Sequence, residues 1–191
     1  MKQDDVLSRF RHLGALLEGH FKLSSGLHSP AYLQCALVLQ HPAEAEKLGQ
    51  ALAAMLPGAG ATAVLSPALG GLIIGHEVAR ALGVRAIFAE RVDGALTLRR
   101  GFELTPEDRV VVVEDVVTTG GSTRETMEVA RAAGATVVAA AAVINRSGSA
   151  SPVDVPFVAM AAMTPPTYTS DICPLCAQGI PVTKPGSRPG K

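Results

Sequence analysis

The chain has 191 residues, 48% of them hydrophobic and 18% charged, enough for one domain with a full core. Lys+Arg and Asp+Glu stand at 17 each, so no overall field favours DNA, RNA or an anionic membrane, and any anion must be held by a local site. With aromatics at 4% and no Trp, a stacking platform for single-stranded nucleic acid is argued against.

Residues 4–18 (DDVLSRFRHLGALLE) set Val6, Leu7, Phe10, Leu13, Leu16 and Leu17 on one face behind an acidic first turn, which predicts an amphipathic helix. The opening MKQDDVLSRF lacks the apolar region of a signal peptide. The longest apolar run, from Thr136 to Ile144, has the length of a buried strand, well short of the roughly 20 residues of a membrane span. The expected compartment is the cytoplasm, with the three cysteines reduced.

Residues 20–39 alternate in polarity and are broken by Ser-Ser-Gly and Ser-Pro, so they read as short strands and turns that make a small N-terminal hood. Residues 42–56 form a helix that opens on Pro42. After Pro57-Gly58 the rhythm becomes strand, loop, helix. Strands are expected at 62–66, 84–90, 109–116, 135–144 and 153–160, with helices up to Gly83 and over 121–134. Residues 91–104, with an Asp-Gly turn, read as a hairpin or mobile flap. Continuous apolar strands alternating with helices predict an α/β fold, a central parallel sheet covered on both faces. The expected organisation is a single domain. Residues 1–40 supply the helix and hood, 60–160 the core, and 164–191 an irregular tail that ends in the flexible KPGSRPGK.

The stretch VVVVEDVVTTGGST (110–123) concentrates the chemistry. Ligands of an open parallel sheet bind beyond the carboxyl ends of its strands, where Glu114 and Asp115 fall. Thr118, Thr119, Gly120, Gly121 and Ser122 then lead into a helix N-terminus, where converging amides, hydroxyls and the helix dipole suit a phosphate. The stretch has no lysine and does not fit G-x-x-x-x-G-K-[ST]. Carboxylates beside a phosphate loop need other work, either accepting hydrogen bonds from ribose hydroxyls or meeting Mg2+ on a second phosphate group. The plainer alternative is a strand-to-helix turn whose small residues only cap the helix.

This stretch resembles the phosphoribosyl diphosphate (PRPP) motif of the type I phosphoribosyltransferases. FKLSSGLHSPAYLQ (21–34), VLSPALGGLIIGHEVARALG (64–83) and AAVINRSG (141–148) resemble the matching segments of the orotate-specific branch, and the likeness covers about residues 6–160. The resemblance implies transfer of the phosphoribosyl group from PRPP to orotate in pyrimidine biosynthesis, with Mg2+ as cofactor. It implies that Glu114 and Asp115 hold the ribose hydroxyls, that residues 118–122 bind the 5-phosphate with Val116 and Val117 also in the PRPP site, and that Ala68, Leu69 and Gly70 form the pyrophosphate turn. Orotate is expected against Thr118, Arg146, Tyr32 and Leu33. Arg91, Arg99 and Arg100 are the expected flap cations, shared across a homodimer, with Arg91 beside the acidic pair in the catalytic set. Mg2+ is expected to be carried by PRPP, with Asp115 the one side chain within its reach. The family's lysines are replaced at Ser24 and Gly70, and the acidic pair begins with Glu. The alternatives are a purine phosphoribosyltransferase and a PRPP-sensing regulator of the same fold.

Cys173-Pro-Leu-Cys176 is half of a zinc pattern, but Cys35 and the five histidines add no supporting spacing. The expectation is therefore packed or solvent-facing thiols, with a metal site, completed for example across a dimer, as the minority reading. His20, His28, His41 and His76 are expected in surface or satisfied polar contacts.

Overall fold

The structure is a computed structural model that describes residues 1–185 except 24, 57 and 59. Ser24 and residues 186–191 of the expected flexible end thus lie outside the described residues.

The first helix, α1 (Gln3–His12), stops well before the expected residue 18. Gly14 takes φ +67°, a left-handed conformation that costs glycine little, and turns the chain back. Leu16 and Leu17 therefore open a strand, β1 (Leu16–Lys22), which pairs antiparallel with β2 (His28–Leu33). These two strands are the hood. A single helical turn, α2 (Ala36–Leu39), falls where a strand or turn was expected, and α3 (Pro42–Ala53) follows with Pro42 in its first turn. The core then runs β3 (Ala63–Pro67), α4 (Gly71–Leu82), β4 (Arg85–Val92), β5 (Ala95–Leu98), β6 (Arg109–Val117), α5 (Gly121–Ala132), β7 (Thr136–Asn145) and β8 (Phe157–Ala162). The last strand starts at Phe157 rather than Val153. A short turn, α6 (Pro174–Ala177), lies in the tail.

The main sheet has the order β5-β4-β3-β6-β7-β8, and every pairing in it is parallel except β4 with β5. The alternation of its strands explains why they read as unbroken apolar runs. Val64, Val111, Val113, Ala139 and Ala141 face one core with α1, α3 and α4. Leu65, Val110, Val112 and Ala140 face the other with Met127 and Ala130 of α5. The expected flap is the hairpin β4–β5, with Asp93 and Gly94 at its turn.

Asp108 ties the amino ends of the strands together. Its carboxylate accepts from Arg85 Nη2 (2.5 Å), the Thr62 hydroxyl (2.8 Å) and the Thr105 amide (2.8 Å). The Arg85 guanidinium, helped by those two donors, holds its pKa down to about 2. This clasp sits at the end of the sheet opposite the site described next. The tail is irregular apart from α6 but is not loose. Isolated bridges pair Thr183 with Phe21 and Tyr168 with His28, stitching it to the hood. Among the described residues, no helix is long and apolar enough to cross a membrane.

Candidate active site

Because β3 and β6 run parallel and in register, from Ala63 opposite Val110 to Leu65 opposite Val112, their carboxyl ends open on the same edge of the sheet. The turn after β3 and the loop after β6 rise there around a cleft of about 210 Å³. Its lining is Pro67, Ala68, Leu69, Gly70, Gly71, Arg91, Leu96, Glu114, Asp115 and Ser122. The structure thus gathers residues from three of the segments singled out in the sequence.

Glu114 and Asp115 are both half-buried. The Thr123 hydroxyl donates to Glu114 Oε2 from the first turn of α5. Burial nevertheless dominates and, with the neighbouring Asp115 charge, pushes the Glu114 carboxyl up to about 7 against the Thr123 bond. Burial raises Asp115 too, opposed by the Val116 amide, which donates to Asp115 Oδ1 at 2.9 Å. The pair is an under-solvated set of acceptors at the mouth of the sheet, suited to neutral donors such as hydroxyls.

Gly70 lies directly against Asp115. A Cβ at residue 70 would stand 2.7 Å from Asp115 Oδ1, so any side chain there would displace the carboxylate. A cis peptide joins Ala68 to Leu69 in the same turn, and the Leu69 side chain is exposed. Across the cleft, Arg91 is held by Glu125, with Nη2–Oε2 at 2.7 Å and Nη1–Oε1 at 3.2 Å. Glu125 also accepts from the Leu96 amide (2.7 Å) and so fixes the hairpin to α5.

The loop of residues 118–120 needs glycine at its end. Gly120 takes φ +76°, and a Cβ would stand 2.8 Å from Arg124 Nη1 and 3.0 Å from the Pro152 carbonyl. This turn starts α5 at Gly121, and the amides of residues 118–122 lie at and just before the helix start. Among the described residues they have no acceptor. The hydroxyls of Thr118, Thr119 and Ser122 are exposed beside them. Val116 is half-buried and Val117 wholly buried, so these two offer backbone and not side chain to this edge.

Arg146 follows β7, and its amide donates to the Val117 carbonyl at 2.7 Å, which sets it beside the same loop. Its side chain is partly buried, and burial lowers its pKa, offset by Cys35 and Tyr32. Its Nε is buried with no hydrogen-bond partner, and among the described residues it has no ion pair. Tyr32 packs near Phe21 with ring centroids 5.9 Å apart. Leu33 belongs to the apolar core under the hood.

Some expected residues do not join the cleft. Arg100 pairs with Glu90 (2.7 and 3.0 Å) and lies over the Phe88 ring, while Arg99 approaches Glu90 at 4.0 Å. Neither lines the cleft. Other residues were not singled out in the sequence. Thr123 was legible inside the motif as one more hydroxyl on the helix start. Glu125 carried no signal, and neither did Cys35, whose Sγ lies 3.9 Å from the Asp115 carbonyl across 80 residues of chain. Burial pushes the Cys35 thiol well up, so it is a packing group and not a nucleophile. His20 and His28 make polar contacts, as expected, but with partners the sequence did not show. His20 and His28 are buried and meet each other, Cys173 and Cys176. Sequence spacing hid this because the hood and the tail are distant in the chain.

The chain is similar to known proteins over most of its length. Residues 37–166 match the family model of the phosphoribosyl transferase domain. The chain is 54% identical over 190 residues to the orotate phosphoribosyltransferase of Heliobacterium modesticaldum, covering 98% of this chain and 100% of that one. It is 52% identical over 188 residues to that of Pelotomaculum thermopropionicum, covering 98% and 99%. Among solved structures, orotate phosphoribosyltransferase from Aeropyrum pernix superposes with a TM-score of 0.71 at 27% identity, over 83% of this chain and 93% of that one.

Proposed function

The chain belongs to the phosphoribosyl transferase family, and on that premise we propose that it transfers the 5-phosphoribosyl group of PRPP to orotate. The products are orotidine 5'-phosphate and pyrophosphate, a step of pyrimidine biosynthesis. The observation that carries the base assignment is Arg146, a partly buried guanidinium with no acidic partner among the described residues and an Nε with no acceptor. Such a group calls for an anion with planar paired oxygens, and the orotate carboxylate is one. Tyr32 on the hood and Thr118 on the loop complete the base subsite, with Leu33 as apolar support beneath it.

The reaction is a displacement at the anomeric carbon. The base nitrogen arrives as pyrophosphate leaves, through a transition state with oxocarbenium character. The protein supplies position and electrostatics. The amides of residues 118–122 and the hydroxyls of Thr118, Thr119 and Ser122 hold the 5-phosphate. Glu114 and Asp115 accept from the two ribose hydroxyls. The backbone of Ala68, Leu69 and Gly70, facing Arg91, receives the pyrophosphate. The oxygen-only donors of this edge suit Mg2+, which Asp115 would help hold and which would supply positive charge for the departing pyrophosphate. Arg99 and Arg100, which lie off this cleft, are the cations offered to the other subunit of a two-fold dimer. The whole chain acts as one cytoplasmic catalytic domain, and its counterions are arginines in place of the lysines absent at Gly70 and Ser24.

Orotate absorbance followed after adding PRPP tests the reading. Loss of orotate is expected with Mg2+ and not without it, and xanthine, guanine and adenine should not compete. Turnover of a purine in preference to orotate would move the protein to the purine branch. PRPP binding without release of pyrophosphate would make it a sensor.

Glu114 adds a pH signature. Its carboxyl is pushed up to about 7 in the free protein, and accepting from ribose hydroxyls favours the ionised form. Binding of PRPP therefore releases a proton, and affinity rises with pH up to the free-protein pKa and levels above it. Between pH 8 and pH 6, at fixed free Mg2+, the affinity for PRPP should fall about tenfold. Titration calorimetry with Glu114→Gln separates this from titration of PRPP itself, because the protein's share of the slope should vanish in that variant.

A further inference from the structure

Away from the cleft, four side chains of metal-binding type converge from the two ends of the sequence. His20 stands on β1 and His28 on β2, while Cys173 and Cys176 bracket the start of α6. Their ligand atoms all lie within 4.8 Å of one another. Cys173 Sγ and Cys176 Sγ are 3.6 and 3.7 Å from His20 Nε2, and Cys176 Sγ is 3.3 Å from His28 Nδ1. Zn–S bonds of ~2.3 Å and Zn–N bonds of ~2.05 Å at tetrahedral angles hold sulfur and nitrogen ~3.6 Å apart. The two ring nitrogens are 2.8 Å apart, and the same geometry would space them at ~3.3 Å, a parting of about half an ångström.

The surroundings are built for the same purpose. His20 Nδ1 lies 2.7 Å from the Ile180 carbonyl, so that nitrogen carries the proton and donates. Its Nε2 lone pair is thereby turned toward the two sulfurs, as the outer hydrogen bond of a metal-bound histidine does. Cys173, His20 and His28 are 2%, 3% and 6% exposed, so the cluster is closed on the protein side, and Cys176 stands at its rim. The tail gives an independent reason. From residue 162 to residue 185, Cys173 is the only buried residue, and Ile172 and Val182 are exposed. A segment this long has no apolar core of its own to offset the entropy of ordering it.

We propose that His20, His28, Cys173 and Cys176 form a structural zinc site that fastens the C-terminal tail to the hood. Two thiolates and two imidazoles select zinc over the oxygen-seeking Mg2+ of the reaction. Four protein ligands leave no position for substrate, so the ion is structural and not catalytic. The sequence pattern C-x2-C shows half of the set, and the histidine pair becomes visible only when β1 and β2 bring His20 and His28 together. The proposal stands apart from the orotate reading, since zinc content is measured without any substrate.

The test uses the full chain purified from zinc-supplemented cells. Mass spectrometry of the metal should find about one zinc per chain, and the Cys173→Ser, Cys176→Ser double variant should fall to about a tenth of that or less. Cobalt(II) loaded in place of zinc should give the intense ligand-field and thiolate charge-transfer bands of a tetrahedral site. Chelation should speed proteolytic cleavage between residues 162 and 185 about tenfold while the sheet core stays protected. Wild-type protein without zinc, cobalt bands without thiolate character, or unchanged zinc in the double variant would each show a thiol–imidazole hydrogen-bond cluster and overturn the proposal. If the double variant does not fold, the wild-type zinc content and cobalt spectrum decide.

Discussion

Changing Glu114 to Gln and Asp115 to Asn together is expected to lower kcat/KM for PRPP about 1,000-fold without unfolding the protein. Each carboxylate offers a charge-assisted acceptor to a sugar hydroxyl, worth about 1.5–3 kcal/mol. Two such losses amount to roughly 3–6 kcal/mol, or about two to four decades at 1.36 kcal/mol per decade. The amides keep the shape but present a donor where the ribose also donates. Stability should hold or rise. Burial lifts both carboxyl pKa values, so the fold favours the neutral groups and the neutral isosteres remove that strain at pH 8. Steady-state kinetics beside a thermal melt check both halves. Wild-type kinetics in the double variant would remove the ribose role from this pair.

Arg146→Ala is expected to raise KM for orotate about 100-fold, with a smaller change in kcat and little change in KM for PRPP. A bidentate contact to a carboxylate in a partly buried pocket contributes about 2–3 kcal/mol, and most of it is present before the transition state. Among the described residues the guanidinium has no partner to abandon, so truncation leaves no stranded acid. Arg146→Lys should recover only part of the loss, because an ammonium cannot present the planar fork. A rise in KM for PRPP with KM for orotate unmoved would assign Arg146 to a phosphate instead.

How far these residues were legible differs from one to the next, for physical reasons. The run from Val110 to Thr123 shows its strand, its acidic pair and its glycine loop, because all of these are local. The β-branched run sets the strand, and the glycine turn sets the loop. The parallel sheet followed from strands that are apolar on both faces. The end of α1 was misjudged because Leu13, Leu16 and Leu17 continue the helical spacing, and a single left-handed glycine outweighs it. Arg99 and Arg100 carried the right charge for the cleft, yet Glu90, on the neighbouring strand of the same hairpin, holds both.

Periodicity and turn chemistry alone were enough to establish the sheet, the loop and the acidic pair, because those depend on residues close together in the chain. The long-range pairings belong to the folded molecule: Arg146 beside the loop after β6, Cys35 behind Asp115, and two hood histidines facing two tail cysteines. Contacts across 80 or 153 residues leave no periodic trace. They are set by which strands share an edge, and only the packed sheet and its hood specify that.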